Sequence, residues 1–246
     1  MKHQAGRNLV KNQRLAFPIA LIGILGVLLS LVGAPQGPKP TPLALGTLAQ
    51  ANSTTFLVAG DSITAAGSHT VAAGQVGEAS WIHFVHPEGQ PSDLTWVGGW
   101  AMGGAQTGDM TRALHHASAD ALVIVAGTND LAHRIGFAQI AANLQSLTKI
   151  VSTEVVLLSS VPPRDDEASQ TAIYNEFLRQ LAMEQGWLFV DAAAGLRTPA
   201  GTFKAGLSDD GVHPTIAGAQ ILGHAIGEAL NNIPLQANGP LEAPNA

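Results

Sequence analysis

Cysteine is missing from all 246 positions of this chain, which excludes disulfides, thiol chemistry and cysteine-held zinc. The same absence leaves the compartment open, because many exported proteins carry no disulfide. Acidic residues are missing from the first 60 positions, where Lys2, Arg7, Lys11 and Arg14 gather. Setting those four aside leaves eight basic residues against 18 acidic ones, a balance of −10. A domain that acidic repels phosphate backbones, so nucleic acid is not an expected partner. No internal repeat is present, and the length suits one domain with a full core.

The basic head leads into Leu15–Gly33, apolar throughout but for Pro18 and Ser30. A positive segment followed by a hydrophobic one is the pattern of an export signal. At 19 residues the run is close to the ~20 that span a bilayer, and longer than the roughly 7–15 of an ordinary signal core. Residues 1–33 therefore read as a signal peptide or, by length, as an N-terminal membrane anchor with its basic end in the cytoplasm. Small residues around Ala34, or at Ala49 and Ala51, would suit cleavage. Both readings place the chain beyond Gly33 outside the cytoplasm. Residues 34–52 carry Pro35, Pro38, Pro40 and Pro42 among small residues and read as a linker. The folded domain is expected over 53–233, with a disordered tail at 234–246.

Within that domain, short apolar runs alternate with helical patterns. Strands are expected at Thr55–Ala59, Leu94–Val97, Leu122–Ala126, Val155–Ser159 and Leu188–Val190. Most lack polar alternation, as strands covered on both faces do. Helices are expected near Thr107–His116, Phe137–Ser152, Glu167–Gln185 and Thr215–Leu230. In the third, Ile173, Phe177, Leu178 and Leu181 share a stripe. The alternation implies a parallel sheet of about five strands in a three-layer α/β/α sandwich. Residues 60–93, with Gly67, Gly74, Gly77 and Gly89, read as a long irregular region.

Four stretches carry chemistry. Gly60-Asp61-Ser62 ends the first strand, where a serine projects its hydroxyl from the carboxyl edge of the sheet, the edge at which ligands bind in open α/β folds. Gly98-Gly99-Trp100-Ala101-Met102-Gly103-Gly104 comes after the second strand, and glycine there lets a backbone N–H approach a ligand. Gly127-Thr128-Asn129-Asp130 comes after the third, where an asparagine amide can aim at a developing oxyanion or form an Asx turn. Asp210-Gly211-Val212-His213 sets a carboxylate three residues from an imidazole across a tight turn. That spacing lets Asp210 hold Nδ1–H and leaves Nε2 free to take a proton. Pro214 suits the first position of the next helix.

The order Ser, Gly, Asn, Asp-x-x-His resembles the SGNH/GDSL hydrolase family over roughly residues 55–230. The likeness implies a flavodoxin-like sandwich and a serine esterase. Ser62 would be the nucleophile, His213 the general base and Asp210 its support. The N–H of Ser62, the N–H of Gly104 and the side-chain amide of Asn129 would form the oxyanion hole. The second block departs from the family's Asn-x-Gly-x-Ser-Gly, with Gly99, Ala101 and Gly103 at three of its positions. A Gly-x-Ser-x-Gly elbow is absent, which disfavours the α/β-hydrolase alternative. The substrates implied are short acyl or acetyl esters, with carbohydrate among the alcohols. Acyl transfer to a sugar hydroxyl by the same triad, and a non-catalytic carbohydrate-binding module, are the competing readings.

No cofactor is expected. His83 with His86, and His115 with His116, lack a third ligand at a persuasive spacing, so no metal site is expected either. His224 reads as a packing or surface residue. Trp81, Trp96 and Trp100 lie near the first two blocks as core or pocket residues. Asp61 is expected only to fix its turn, and Asp165-Asp166-Glu167 to be the capped, acidic start of a helix.

Overall fold

Strands form where branched and apolar residues run unbroken. The computed structural model describes residues 53–86 and 93–233. Its five strands are Thr54–Gly60 (β1), Leu94–Ala101 (β2), Ser118–Val125 (β3), Ser152–Ser159 (β4) and Leu188–Val190 (β5). All neighbours pair in parallel, in the order β2-β1-β3-β4-β5. The chain moves from β1 to one side for β2, then crosses to the other for β3. That reversal is the switch point at which open α/β sheets bind ligands.

Alternate residues of β1 face opposite layers. Phe56 and Val58 join one core with Trp81, Leu222 and Ile226. Leu57 and Ala59 join the other with Met110, Ile140, Leu144 and Leu178. The helices are Ser62–Ala65 (α1), Thr107–Ala113 (α2), Thr128–Ala132 (α3), Phe137–Ile150 (α4), Ala168–Gln185 (α5) and Ile216–Asn231 (α6). The first core takes in α6, the second α2, α4 and α5, which completes three layers.

The expected sandwich is present, with several boundaries moved. β2 does not stop at Val97 but runs through Gly98, Gly99 and Trp100 to Ala101. A bulge shifts the register after Phe56, whose partner is Trp96, while Leu57 pairs with Gly98. Glycines in a strand read as loop from sequence. Here Gly99 is required by close approach, since a Cβ on it would run into the Val58 backbone. β3 and β4 begin earlier than expected, and Ser152 opens a strand instead of closing a helix. The helix after Gln106 ends at Ala113, short of His116.

Residues 66–86 contain two short 3₁₀ turns, Val71–Ala73 and Trp81–Phe84, and no strand. Among the described residues no helix is long and apolar enough to cross a membrane. The expectations for 1–33, 34–52 and 234–246 fall outside the described residues.

Candidate active site

The site grows from the C-terminal ends of three adjacent strands. β1 stops at Gly60, and Asp61 caps α1 by accepting the Ile63 N–H on Oδ1 at 3.0 Å. Ser62 is thus the first helical residue, at the sheet's carboxyl edge beyond β1, which lies between β2 and β3. Behind it, Thr64 is locked by Ser80, whose hydroxyl donates to the Thr64 carbonyl at 2.6 Å, and by Trp81 Nε1–H, which donates to the Thr64 hydroxyl at 3.0 Å. Trp81 is fully buried, so it is a core residue.

His213 arrives from the turn before α6, 151 positions downstream, and its Nε2 lies 2.9 Å from Ser62 Oγ. Its Nδ1 lies 2.7 Å from Asp210 Oδ2. The other oxygen of Asp210 accepts the backbone N–H groups of Val212 at 2.9 Å and His213 at 2.8 Å. One carboxylate therefore folds the turn and orients the ring that the turn carries. With Nδ1–H assigned as the donor to Asp210, the Nε2 lone pair faces the serine hydroxyl.

Partial burial alone would raise the Asp210 pKa. The His213 N–H, its imidazole and the Val212 N–H outweigh that and hold the carboxyl well below the ordinary aspartate range. Pro214 is not the first helical residue. Thr215 caps α6, its hydroxyl accepting the Gly218 N–H at 3.3 Å, and Pro214 bridges back to Ser208.

Gly104 comes after β2 and Asn129 after β3, so they flank Ser62 from the two neighbouring strands. Asn129 Nδ2 donates one N–H to the Ala105 carbonyl at 3.0 Å, which joins the two loops and leaves its second N–H to spare. The Asn129 turn is braced on every side. Tyr174 donates its hydroxyl to the Ala126 carbonyl at 3.0 Å. Arg164 reaches the Thr128 carbonyl at 3.3 Å. Thr107 donates its N–H and hydroxyl to Asp130 at 2.9 and 2.6 Å. Gly127 adopts φ 115°, and a Cβ there would collide with the Tyr174 hydroxyl, so no other residue fits.

A cavity of about 320 Å³ opens beside Ser62 and His213, walled by Ile63, Ala66, Ala79 and Pro214. That volume is at the small end of ligand cavities. Ala66 and Gly67 separate it from a wider groove of about 630 Å³ lined by Gln75, His83 and Trp96. Trp100 borders a third hollow with Met102, on the far side of Gly103 and Gly104.

The structure thus brings Ser62, His213 and Asp210 into hydrogen-bond contact; Gly103 lines the cavity with Ser62 and His213, whereas Gly104 follows it in the loop and Asn129 is tied to that loop through Ala105. Among the described residues no group of three histidine, aspartate or glutamate side chains is arranged to hold a metal ion. Asp165-Asp166-Glu167 is a 3₁₀ turn that runs into α5, with Glu167 at the N-cap position but without a side-chain capping bond. Asp165 accepts the Phe203 N–H at 2.7 Å and donates its own N–H to the Gly211 carbonyl at 2.9 Å, bracing the His213 turn. Local sequence carried no sign of that, since the partners lie about 40 positions away.

Asp61 fixes its turn as expected, yet it is also fully buried, directly before Ser62. The sequence signal for this was available: a carboxylate placed directly after a strand that is buried on both faces.

None of the curated proteins compared matches the chain. Among solved structures, an acetylxylan esterase from Geobacillus stearothermophilus is similar at 20% identity and a TM-score of 0.55, over 76% of this chain and 98% of that one. A G-D-S-L family protein from Desulfitobacterium hafniense is similar at 16% identity and a TM-score of 0.56, over 71% of this chain and 98% of that one. At such identities the likeness is one of fold, and both share the sandwich described above. The family assignment comes from the sequence itself, in which residues 58–221, the stretch from β1 into α6, match the GDSL-like Lipase/Acylhydrolase family, and the chain belongs to that family.

Proposed function

We propose that the chain is an exported serine esterase that hydrolyses short-chain acyl esters of carbohydrate hydroxyls through an acyl-enzyme on Ser62. One observation carries the reading: the unbroken chain from Ser62 Oγ to His213 Nε2 (2.9 Å) and from Nδ1 to Asp210 Oδ2 (2.7 Å). Serine is a poor nucleophile at its own pKa, and this contact supplies the base.

In the first half-reaction Ser62 Oγ attacks the ester carbon while its proton passes to His213 Nε2. Asp210, held ionised, stabilises the imidazolium. The oxyanion accepts from the N–H groups of Ser62 and Gly104 and from the spare N–H of Asn129. Collapse breaks the carbon–oxygen bond, and His213 returns the proton to the departing alcohol. Water then attacks the acyl carbon and gives a proton to His213, and collapse releases the acid as His213 returns that proton to Ser62 Oγ.

The small apolar cavity supports a short acyl group. The groove behind Ala66 and Gly67, with an indole and polar side chains, supports a sugar as the alcohol, because pyranose rings pack on aromatic faces while their hydroxyls seek polar partners. The basic head and apolar run of residues 1–33 support a position outside the cytoplasm.

A hydrolysis screen of esters graded by chain length, together with acetylated glycans, tests the reading. Turnover should be highest for the shortest acyl groups and vanish in Ser62→Ala. Full activity in that variant would refute it.

A further inference from the structure

We propose that Asp61 is a positioning residue that works as a neutral acid, its carboxyl O–H and the Thr128 hydroxyl forming a tie between the nucleophile's turn and the turn that carries Asn129. The proposal rests on Ser62 being the nucleophile of an esterase.

Asp61 precedes Ser62 just past the end of β1, and Thr128 precedes Asn129 at the start of α3, just past the end of the adjacent β3. Asp61 is fully buried; Oδ1 takes the Ile63 N–H, and Oδ2 has no hydrogen-bond partner. The only other buried side-chain oxygen without a partner, among the described residues, is Thr128 Oγ1. A protonated Asp61 would have the Thr128 oxygen as an acceptor for its O–H and would leave no bare charge in a dry interior.

The neighbouring carboxyl differs. Asp130 receives both the N–H and the hydroxyl of Thr107, and Asn143 Nδ2 donates in turn to that hydroxyl oxygen at 2.9 Å. Two carboxylates in one buried cluster do not both ionise cheaply. The charge belongs on Asp130, which has the donors, and the proton on Asp61, which has one.

Burial is the largest cause of the raised Asp61 pKa, about 7. The Ile63 N–H opposes that shift, the charge of Asp130 adds to it, and His213 and the Thr128 hydroxyl oppose it. The groups facing Asp61 are thus Asp130 on α3, His213 from the turn before α6, and the Tyr174 phenol on α5. Burial, then Asp130 and Asp61, push that phenol well above its ordinary range.

A neutral Asp61 matters to the chemistry because an anion directly behind Ser62 would oppose the oxyanion forming in front of it. Turnover should therefore decline as Asp61 ionises.

Asparagine mimics the neutral acid: it keeps the acceptor for Ile63 and offers N–H donors to Thr128. The test compares Asp61→Asn, Asp61→Ala and Thr128→Val with the wild type by kcat across about pH 5–9 and by infrared spectra of the carboxyl region. The Asn variant should retain about tenfold more kcat than the Ala variant near pH 6 and lack the wild type's alkaline decline. The wild-type minus Asp61→Asn spectrum should show a protonated-carboxyl band at the acid end that is gone at the alkaline end. Thr128→Val should lose as much kcat as Asp61→Ala, and the double variant no more than either.

An unchanged alkaline decline in Asp61→Asn, equal damage from Asn and Ala, or no protonated-carboxyl band would each overturn the inference. The band is independent of turnover, so its absence counts even in an active esterase. An active Ser62→Ala would instead sink the esterase reading and leave the band to be read by itself.

Discussion

Asp61 feels the charge of Asp130, yet Thr107 gives Asp130 two hydrogen bonds while Asp61 has one, from Ile63. This inequality gives the fold a pH dependence of definite sign. Unfolded, Asp61 releases its proton near 3.8; folded, it keeps it to about 7. The folded state binds the extra proton in that window, so this group's contribution to stability is complete below 3.8 and is lost as pH rises through 7. The span corresponds to at most about 4 kcal/mol. Asp61→Asn does not titrate. Thermal or urea unfolding from about pH 4 to about pH 8 should show the variant gaining on the wild type as pH rises. A gap constant with pH would contradict this.

Asn129 links the second and third loops through Ala105, and the proposed mechanism assigns its remaining N–H to the oxyanion. Removing one donor of an oxyanion hole costs about 10²–10³ in kcat, or roughly 2.7–4 kcal/mol. Asn129→Ala should lose activity on that scale while its unfolding transition moves little, because Tyr174, Arg164 and Thr107 still hold the turn. Steady-state kinetics beside circular dichroism checks both halves. Near-wild-type kcat would remove Asn129 from the site.

Gly127→Ala introduces a Cβ into the Tyr174 hydroxyl at a backbone angle that side chains rarely adopt. Neither partner can yield, since Tyr174 is fully buried. The substitution should destabilise by about 2 kcal/mol or more, measured by urea unfolding.

Trp96 borders the wide groove but lies apart from the reacting groups. Trp96→Leu keeps an apolar side chain toward the core and removes the aromatic face. KM for an acetylated xylo-oligosaccharide should rise about tenfold, with kcat/KM for a small activated acetate unchanged. Equal changes on both substrates would remove the groove from substrate binding.

The fold was legible because β1, β3 and β4 are continuous runs of branched residues, which admit few alternatives to a parallel sheet. The site was legible because its residues sit where strands end, at Ser62 and Asn129, or share one turn, at Asp210 and His213. β2 was cut short because Gly98 and Gly99 carry no side chain to signal a strand; what keeps them extended is the backbone of Val58. The bracing by Asp165, Tyr174 and Thr107 stayed invisible for another reason. Each hydrogen bond joins residues 23 to 48 positions apart, a distance over which no local pattern extends. Asp61 was underestimated because its environment is created by neighbours from other strands.

The most direct measurement is the intact mass of the protein after treatment with a fluorophosphonate, compared among wild type, Ser62→Ala and His213→Ala. One adduct on the wild type, mapped to Ser62, with none on Ser62→Ala and greatly slowed labelling of His213→Ala, is the expected result. An unlabelled wild type, or a Ser62→Ala variant labelled as fast as the wild type, would contradict a nucleophile activated through His213.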